Sequence, residues 1–250
     1  MNIFLSIIVL FTTISCSFIL AKEKEPPNIV LIFADDLGIG MLSHYGQKYI
    51  STPNIDSIAK EGITFNRFYG STFCAPARYT LLTGMHDGHQ GAGSHSPPTF
   101  IKNLDKRVKD PEKWTEAYQK HINNRKNKVI IPNNEVFLAQ VAKNAGYTTA
   151  QFGKLDIGFL TWHDRIKRLG WDHYVGYYDH ARAHGFYPTY LWKNGKKLPL
   201  KGNTDWNAGK ASETGNEPVG SHGETYSQDI FISEIIDFIR ANKNLSLIHI

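Results

Sequence analysis

Residues 29–34 read IVLIFA, an unbroken apolar run with Pro26 and Pro27 before it and Asp35 and Asp36 after it. A half-exposed strand would alternate apolar with polar residues, and a core helix would be longer. The run therefore predicts a strand buried on both faces, which occurs in a mostly parallel α/β sheet sandwiched by helices. In such sheets ligands bind at the carboxyl edge, where this strand would deliver Asp35 and Asp36.

The rest of the chain carries the alternation such a sheet requires. Ser51 or Thr52, then Pro53, opens a helix that Gly62 stops, with Ile55, Ile58 and Ala59 as its apolar face. ITFNRFY, 63–69, follows as a strand. A second helix begins at Cys74, with Pro76 in its first turn and Gly84 as its stop. Residues 95–128 are polar and charge-rich, an insertion or loop excursion with a short helix around Trp114 to Tyr118. Asn133 or Asn134 then caps a helix with Val136, Phe137, Val141 and Ala142 inward, Gly146 ends it, and YTTAQF is a strand that leads to Lys154. Asn194 with Gly195 marks a tight hairpin. The last helix runs through Tyr226, Ile230, Ile235, Phe238 and Ile239.

Composition excludes some classes. With 250 residues, 41% apolar, the chain can bury a full core and is not disordered. Its net charge of +5 comes without a Lys/Arg block or an aromatic-basic repeat, which excludes a nucleic-acid binder of the usual pattern. The charge describes either an ordinary solvated surface or one that attracts anionic substrates such as sulfated or phosphorylated sugars.

The apolar run Ile3 to Leu20, followed by Lys22, Glu23, Lys24 and Glu25, reads as a signal peptide over 1–21 with cleavage after Ala21. Lipidation at Cys16 and a retained anchor are the alternatives; no stable membrane span is expected. Each places residues 22–250, one globular domain or most of one, outside the cytoplasm, secreted or periplasmic. Thiols there usually pair, yet removal of Cys16 leaves Cys74 alone. A lone cysteine is commonly a small buried hydrophobe. Cys74, however, heads a helix with Arg78 one turn on, an arrangement that suits an anion or an activated nucleophile. Asp35 and Asp36 are hard oxygen ligands for Ca²⁺ or Mg²⁺, or else a turn with a helix cap. His86 and His89 read as structural or rim residues.

PPNIVLIFADDLG, TPNIDSIAKEGITFNRFY, CAPARYTLLTG, AGYTTAQFGK and GWDHYVGYYD, in this order and spacing, resemble the N-terminal part of the type I sulfatases. These are the arylsulfatase-like, formylglycine-dependent enzymes of the alkaline-phosphatase superfamily. The resemblance implies a sulfuric ester hydrolase that removes sulfate from a sulfated carbohydrate or aryl sulfate. It implies that a formylglycine-generating enzyme oxidises Cys74, and that residue 74, Asp35 and Asp36 bind Ca²⁺. Arg78 would hold the hydrated aldehyde and Lys154 the sulfate. The alternatives are a phosphodiesterase or phosphonate monoester hydrolase of the same superfamily, and an inactive sugar-binding relic.

The sequence also departs from that pattern. Ala77 stands where Ser or Thr is common, and Asp156 where many members carry a histidine two residues after the lysine; a carboxylate there would repel sulfate. His180, Arg182 and His184 are the candidates to supply substrate contacts instead. The second Asp-Asn metal pair of the family, expected well beyond Asn242, is missing before the end at NLSLIHI, which reads as a truncated form.

Overall fold

The computed structural model describes residues 26–71, 73–86, 104, 106–108, 110, 113–114, 116–117, 120, 134–155, 163–177, 182–204, 210–211, 218–219, 223–243 and 247–249. The expected leader with Cys16, and His89, Asp156 and His180, lie outside them. Among the described residues no helix is long and apolar enough to cross a membrane.

A six-stranded sheet organises the chain. Its strands are β1 (Ile29–Val30), β2 (Thr148–Lys154), β3 (His173–Tyr177), β4 (Tyr190–Lys193), β5 (Lys196–Pro199) and β8 (Leu247–His249), in the order β1-β8-β2-β3-β4-β5. A separate antiparallel pair joins β6 (Lys210–Ala211) to β7 (Pro218–Val219). The pairs β1/β8, β8/β2 and β2/β3 are parallel, whereas β3/β4 and β4/β5 are antiparallel. The β4–β5 turn is the hairpin expected at Asn194 and Gly195, whose φ angles of 48° and 87° both lie in the left-handed region that a tight two-residue turn requires. The helices are α1 (Pro53–Glu61), α2 (Cys74–Thr83), α3 (Leu138–Asn144), α4 (His163–Arg168) and α5 (Ser227–Ala241).

Strand alternation divides the core into two layers. Tyr174, Tyr190 and Trp192 pack with Tyr79 and Leu82 of α2, Ala139 of α3, Ile166 of α4 and the neighbouring Trp171. Val175, Tyr177 and Leu191 turn the other way and pack with Phe231 of α5. Helices thus cover both faces, as a period-two pattern in an enclosed sheet demands. Of the 95–128 stretch, Leu104 and Trp114 belong to the first layer, with the Trp114 ring 5.6 Å from that of Trp192. At least these residues of the expected excursion are anchored in the core.

Across the second face α5 is tied to the strands by Glu234, which takes Lys193 Nζ at 2.6 Å and lies 3.7 Å from His173 Nε2. Burial holds the His173 imidazole below its ordinary value, more than the Glu234 carboxylate raises it.

The N-terminal third departs from expectation. The buried strand expected over 29–34 pairs only at Ile29–Val30, and Val30 and Ile32 are exposed. Helix α1 forms as expected, with Thr52 and Gly62 as its flanking residues, but Ile55 and Ile58 are exposed. No strand forms over 63–69, because none of the described residues pairs with it. Hydrophobic pattern reports what a segment can bury, and among the described residues nothing covers this face. In α3 the phase also differs: the helix starts at Leu138, and Phe137, Ala139 and Ala142 face inward while Val136 and Val141 are exposed.

Candidate active site

Because β1 and β2 are parallel within one sheet, their carboxyl ends open on the same edge. The chain leaving β1 reaches Asp35 and then Asp36, whose φ of 55° turns the backbone sharply, a conformation that Asp tolerates better than most residues. Lys154 is the last residue of β2 and is buried. Helix α2 starts at Cys74, places Pro76 in the first turn where no amide donor is needed, and closes at Gly84, whose left-handed φ of 70° directs its amide to the Thr80 carbonyl. Arg78 follows Cys74 by one turn on the same helix face and is buried.

These elements bring three charges together. Asp35 Oδ1 lies 3.1 Å from an Arg78 guanidinium nitrogen, and Asp35 Oδ2 lies 2.9 Å from Lys154 Nζ. A second Arg78 nitrogen donates to the Lys154 carbonyl at 2.6 Å, locking the helix to the strand end. The Arg78 guanidinium also stands over the Phe33 ring, 5.2 Å from its centroid. Partial burial pushes the Asp35 carboxyl up, but the Lys154 hydrogen bond and the Arg78 and Lys154 charges outweigh it and hold the group below its ordinary value. It is therefore ionised at neutral pH. The triad carries two positive charges against one negative, and Arg78 Nε is buried with no acceptor among the described residues. A buried guanidinium donor with no acceptor suits an oxyanion.

Cys74 is half-buried and in no disulfide. Calcium takes six to eight oxygen ligands. Asp35 and Asp36 fit such an ion in kind, but no group of three or more His, Cys, Asp or Glu that could hold a metal exists among the described residues. They would furnish part of a coordination shell.

The other sequence candidates fall in different places. Arg182 and His184 form a short 3-10 turn after the carboxyl end of β3, whose Tyr177 is level with Lys154 in register. The Tyr177 hydroxyl donates to the Gly185 carbonyl at 3.2 Å and ties that loop to the strand. His86 is exposed beyond the far end of α2, a helix of 10 residues and so about 15 Å long at 1.5 Å per residue. Two contributors escaped sequence reasoning. Gln151, buried, donates to the Lys154 carbonyl at 3.4 Å; nothing in the spacing marks it. Phe33 could have been found, since i and i+2 share a side of an extended chain and Asp35 was already singled out.

The Sulfatase family matches residues 27–250. The chain is 30% identical over 226 residues to N-acetylgalactosamine-6-sulfatase of Rattus norvegicus, covering 88% of this chain and 37% of the relative. It is 34% identical over 138 residues to N-acetylgalactosamine-6-O-sulfatase of Bacteroides thetaiotaomicron, covering 55% and 22%. A solved structure described under the metabolism of multiple glycosaminoglycans by Bacteroides thetaiotaomicron shares the fold, with a TM-score of 0.61 at 24% identity over 90% of this chain and 50% of that one. A second, in complex with its substrate D-glucosamine-2-N,6-O-disulfate, superposes with a TM-score of 0.57 at 22% identity over 90% and 33%. The chain thus spans little more than a third of the length of the rat relative. With the family matched from Pro27 to the last residue, on an α/β fold shared with solved relatives, the chain belongs to the sulfatase family.

Proposed function

We propose that this chain carries the nucleophile side of the active site of a sulfuric ester hydrolase that removes sulfate from a sulfated carbohydrate. The observation that carries the reading is the convergence of Arg78 and Lys154 on Asp35, one helical turn from Cys74. The two relatives named for N-acetylgalactosamine 6-sulfate direct the substrate class to sulfated amino sugars. The leader over 1–21 would export the chain, which brings Cys74 to the maturing enzyme before folding closes around it.

Formylglycine at position 74 would supply a hydrated aldehyde as nucleophile, and Ca²⁺ held in part by Asp35 and Asp36 would supply charge stabilisation. The chain's own residues do the rest. Lys154 binds a sulfate oxygen with an ammonium that the strand end fixes in place. Arg78 holds the residue-74 side chain from the next turn and adds positive charge where oxyanion charge accumulates. Asp35 keeps the two cations from repelling each other apart. We assign the sugar contacts to Arg182 and His184, in the short turn that follows β3.

Isothermal titration of the chain with inorganic sulfate and with dimethyl phosphate, in Ca²⁺, tests this reading. Sulfate should bind saturably and the more tightly of the two, and Lys154→Ala should weaken it about tenfold or more, the loss of one charge-assisted hydrogen bond. Tighter binding of the phosphodiester would favour a phosphodiesterase, and a Lys154→Ala variant that binds sulfate as the wild type does would overturn the assignment.

A further inference from the structure

The backbones of β2 and β3 approach closely one residue before Lys154. Gly153 and Gly176 are partners in the parallel register, and a Cβ built on Gly176 would lie 1.9 Å from the Gly153 carbonyl oxygen. Only glycine fits at 176. Gly153 itself has φ of +100° in the middle of a strand, while a Cβ there would meet nothing within 4 Å. Its constraint is therefore conformational, and it redirects the chain immediately before the lysine.

A third residue closes this point. Tyr174 is fully buried, with its ring in the first core layer, and its hydroxyl reaches the Tyr177 carbonyl at 2.8 Å and the Gly153 carbonyl at 3.3 Å. One proton is shared between the strand that presents Lys154 and the register partner of Lys154 itself. The hydroxyl thus gives the Gly153 carbonyl a donor from a fully buried side chain.

We infer that Tyr174 is a positioning residue for Lys154: its hydroxyl holds the Gly153 kink that aims the lysine ammonium at Asp35 and the sulfate site. The inference rests on the reading of Lys154 as the sulfate ligand, yet the aiming of the ammonium can be measured without sulfate. Tyr174→Phe keeps the ring and removes the hydroxyl. The test uses the full chain with lysines labelled at Cε, the Lys154 carbon resonance being identified by its loss in Lys154→Arg, and it is run at one fixed pH. The Lys154 resonance should move in Tyr174→Phe while that of Lys193, paired to Glu234, stays put. Sulfate affinity should fall about three- to tenfold.

Gly153→Ala, which meets no clash but strains a backbone held at φ of +100°, should move the same resonance and tests the kink independently of the hydroxyl. A purely structural Tyr174 would lower the thermal midpoint and leave the Lys154 resonance and the sulfate affinity of the folded protein unchanged; that result overturns the inference. Should wild type fail to bind sulfate while Tyr174→Phe still shifts Lys154, the sulfate reading fails and the positioning role stands.

Discussion

At the scale of single residues, Asp35 decides whether the site exists. Arg78 and Lys154 are both nearly buried, with side chains 10% and 7% exposed, and Asp35 is the carboxylate they share. Asp35→Asn would leave two buried cations without it. A fully buried pair broken this way costs about 3–5 kcal/mol; with Asp35 a third exposed, urea unfolding at pH 7 should show a loss of about 2–3 kcal/mol. The sign with pH follows from the lowered carboxyl. The folded protein holds the proton less tightly than the unfolded chain, so this stabilisation is complete above about pH 4, the unfolded value, and is lost as pH falls through the lower folded value. The gap between wild type and Asp35→Asn should therefore close in acid. A gap that persists unchanged to pH 2 would contradict the ion-pair account.

At the scale of elements, what was legible in the sequence was what local chemistry determines. Pro53 opened α1, Gly84 stopped α2 and Asn194-Gly195 turned the β4–β5 hairpin, because a first-turn proline and left-handed turn residues act on their immediate neighbours. Lys154 was recognised at the end of its strand, whereas Asp35 and Asp36 lie beyond a strand that stops at Val30. What was not legible depended on distant partners. The run 29–34 had the composition of a buried strand, but only Ile29 and Val30 find a ladder. Val136 and Val141 matched the helical period, yet the direction of the core as α3 meets it chose Phe137, Ala139 and Ala142. Asn203 gave no sequence signal at all. Its side chain donates to the carbonyls of Pro188 and Thr225, both at 2.8 Å, and accepts from the Thr225 amide at 3.0 Å, clasping the approach to α5 against the loop before β4. Asn203→Ala should cost about 2–3 kcal/mol, the penalty for stranding such groups, with Cm lowered at constant m-value. An unchanged Cm would mean the clasp is replaced by water without loss.

Viewed as a whole, the molecule is asymmetric. The strands from β2 to β5 are enclosed by helices, whereas residues 29–73 present a run of large apolar groups to solvent, with Ile63 82%, Phe68 83% and Tyr69 86% exposed. Large apolar groups this exposed offer a surface to an apolar probe. The chain should therefore enhance the fluorescence of 8-anilinonaphthalene-1-sulfonate, and replacement of Ile63, Phe65 and Phe68 by Ser should remove most of the signal with the far-UV dichroism unchanged; no enhancement in the wild type would show the face to be covered. The edge that holds the candidate site lies where this open third meets the closed sheet, so Asp35 and Asp36 come from one part and Lys154 from the other. Cys74 stands at the head of α2, and its maturation decides whether the chain carries a sulfatase nucleophile. The most direct measurement is the mass of the tryptic peptide Phe68 to Arg78 from the chain expressed with its leader in a host that matures sulfatases. The account predicts replacement of the Cys74 thiol by an aldehyde, whereas an intact thiol beside a converted control sulfatase would contradict it.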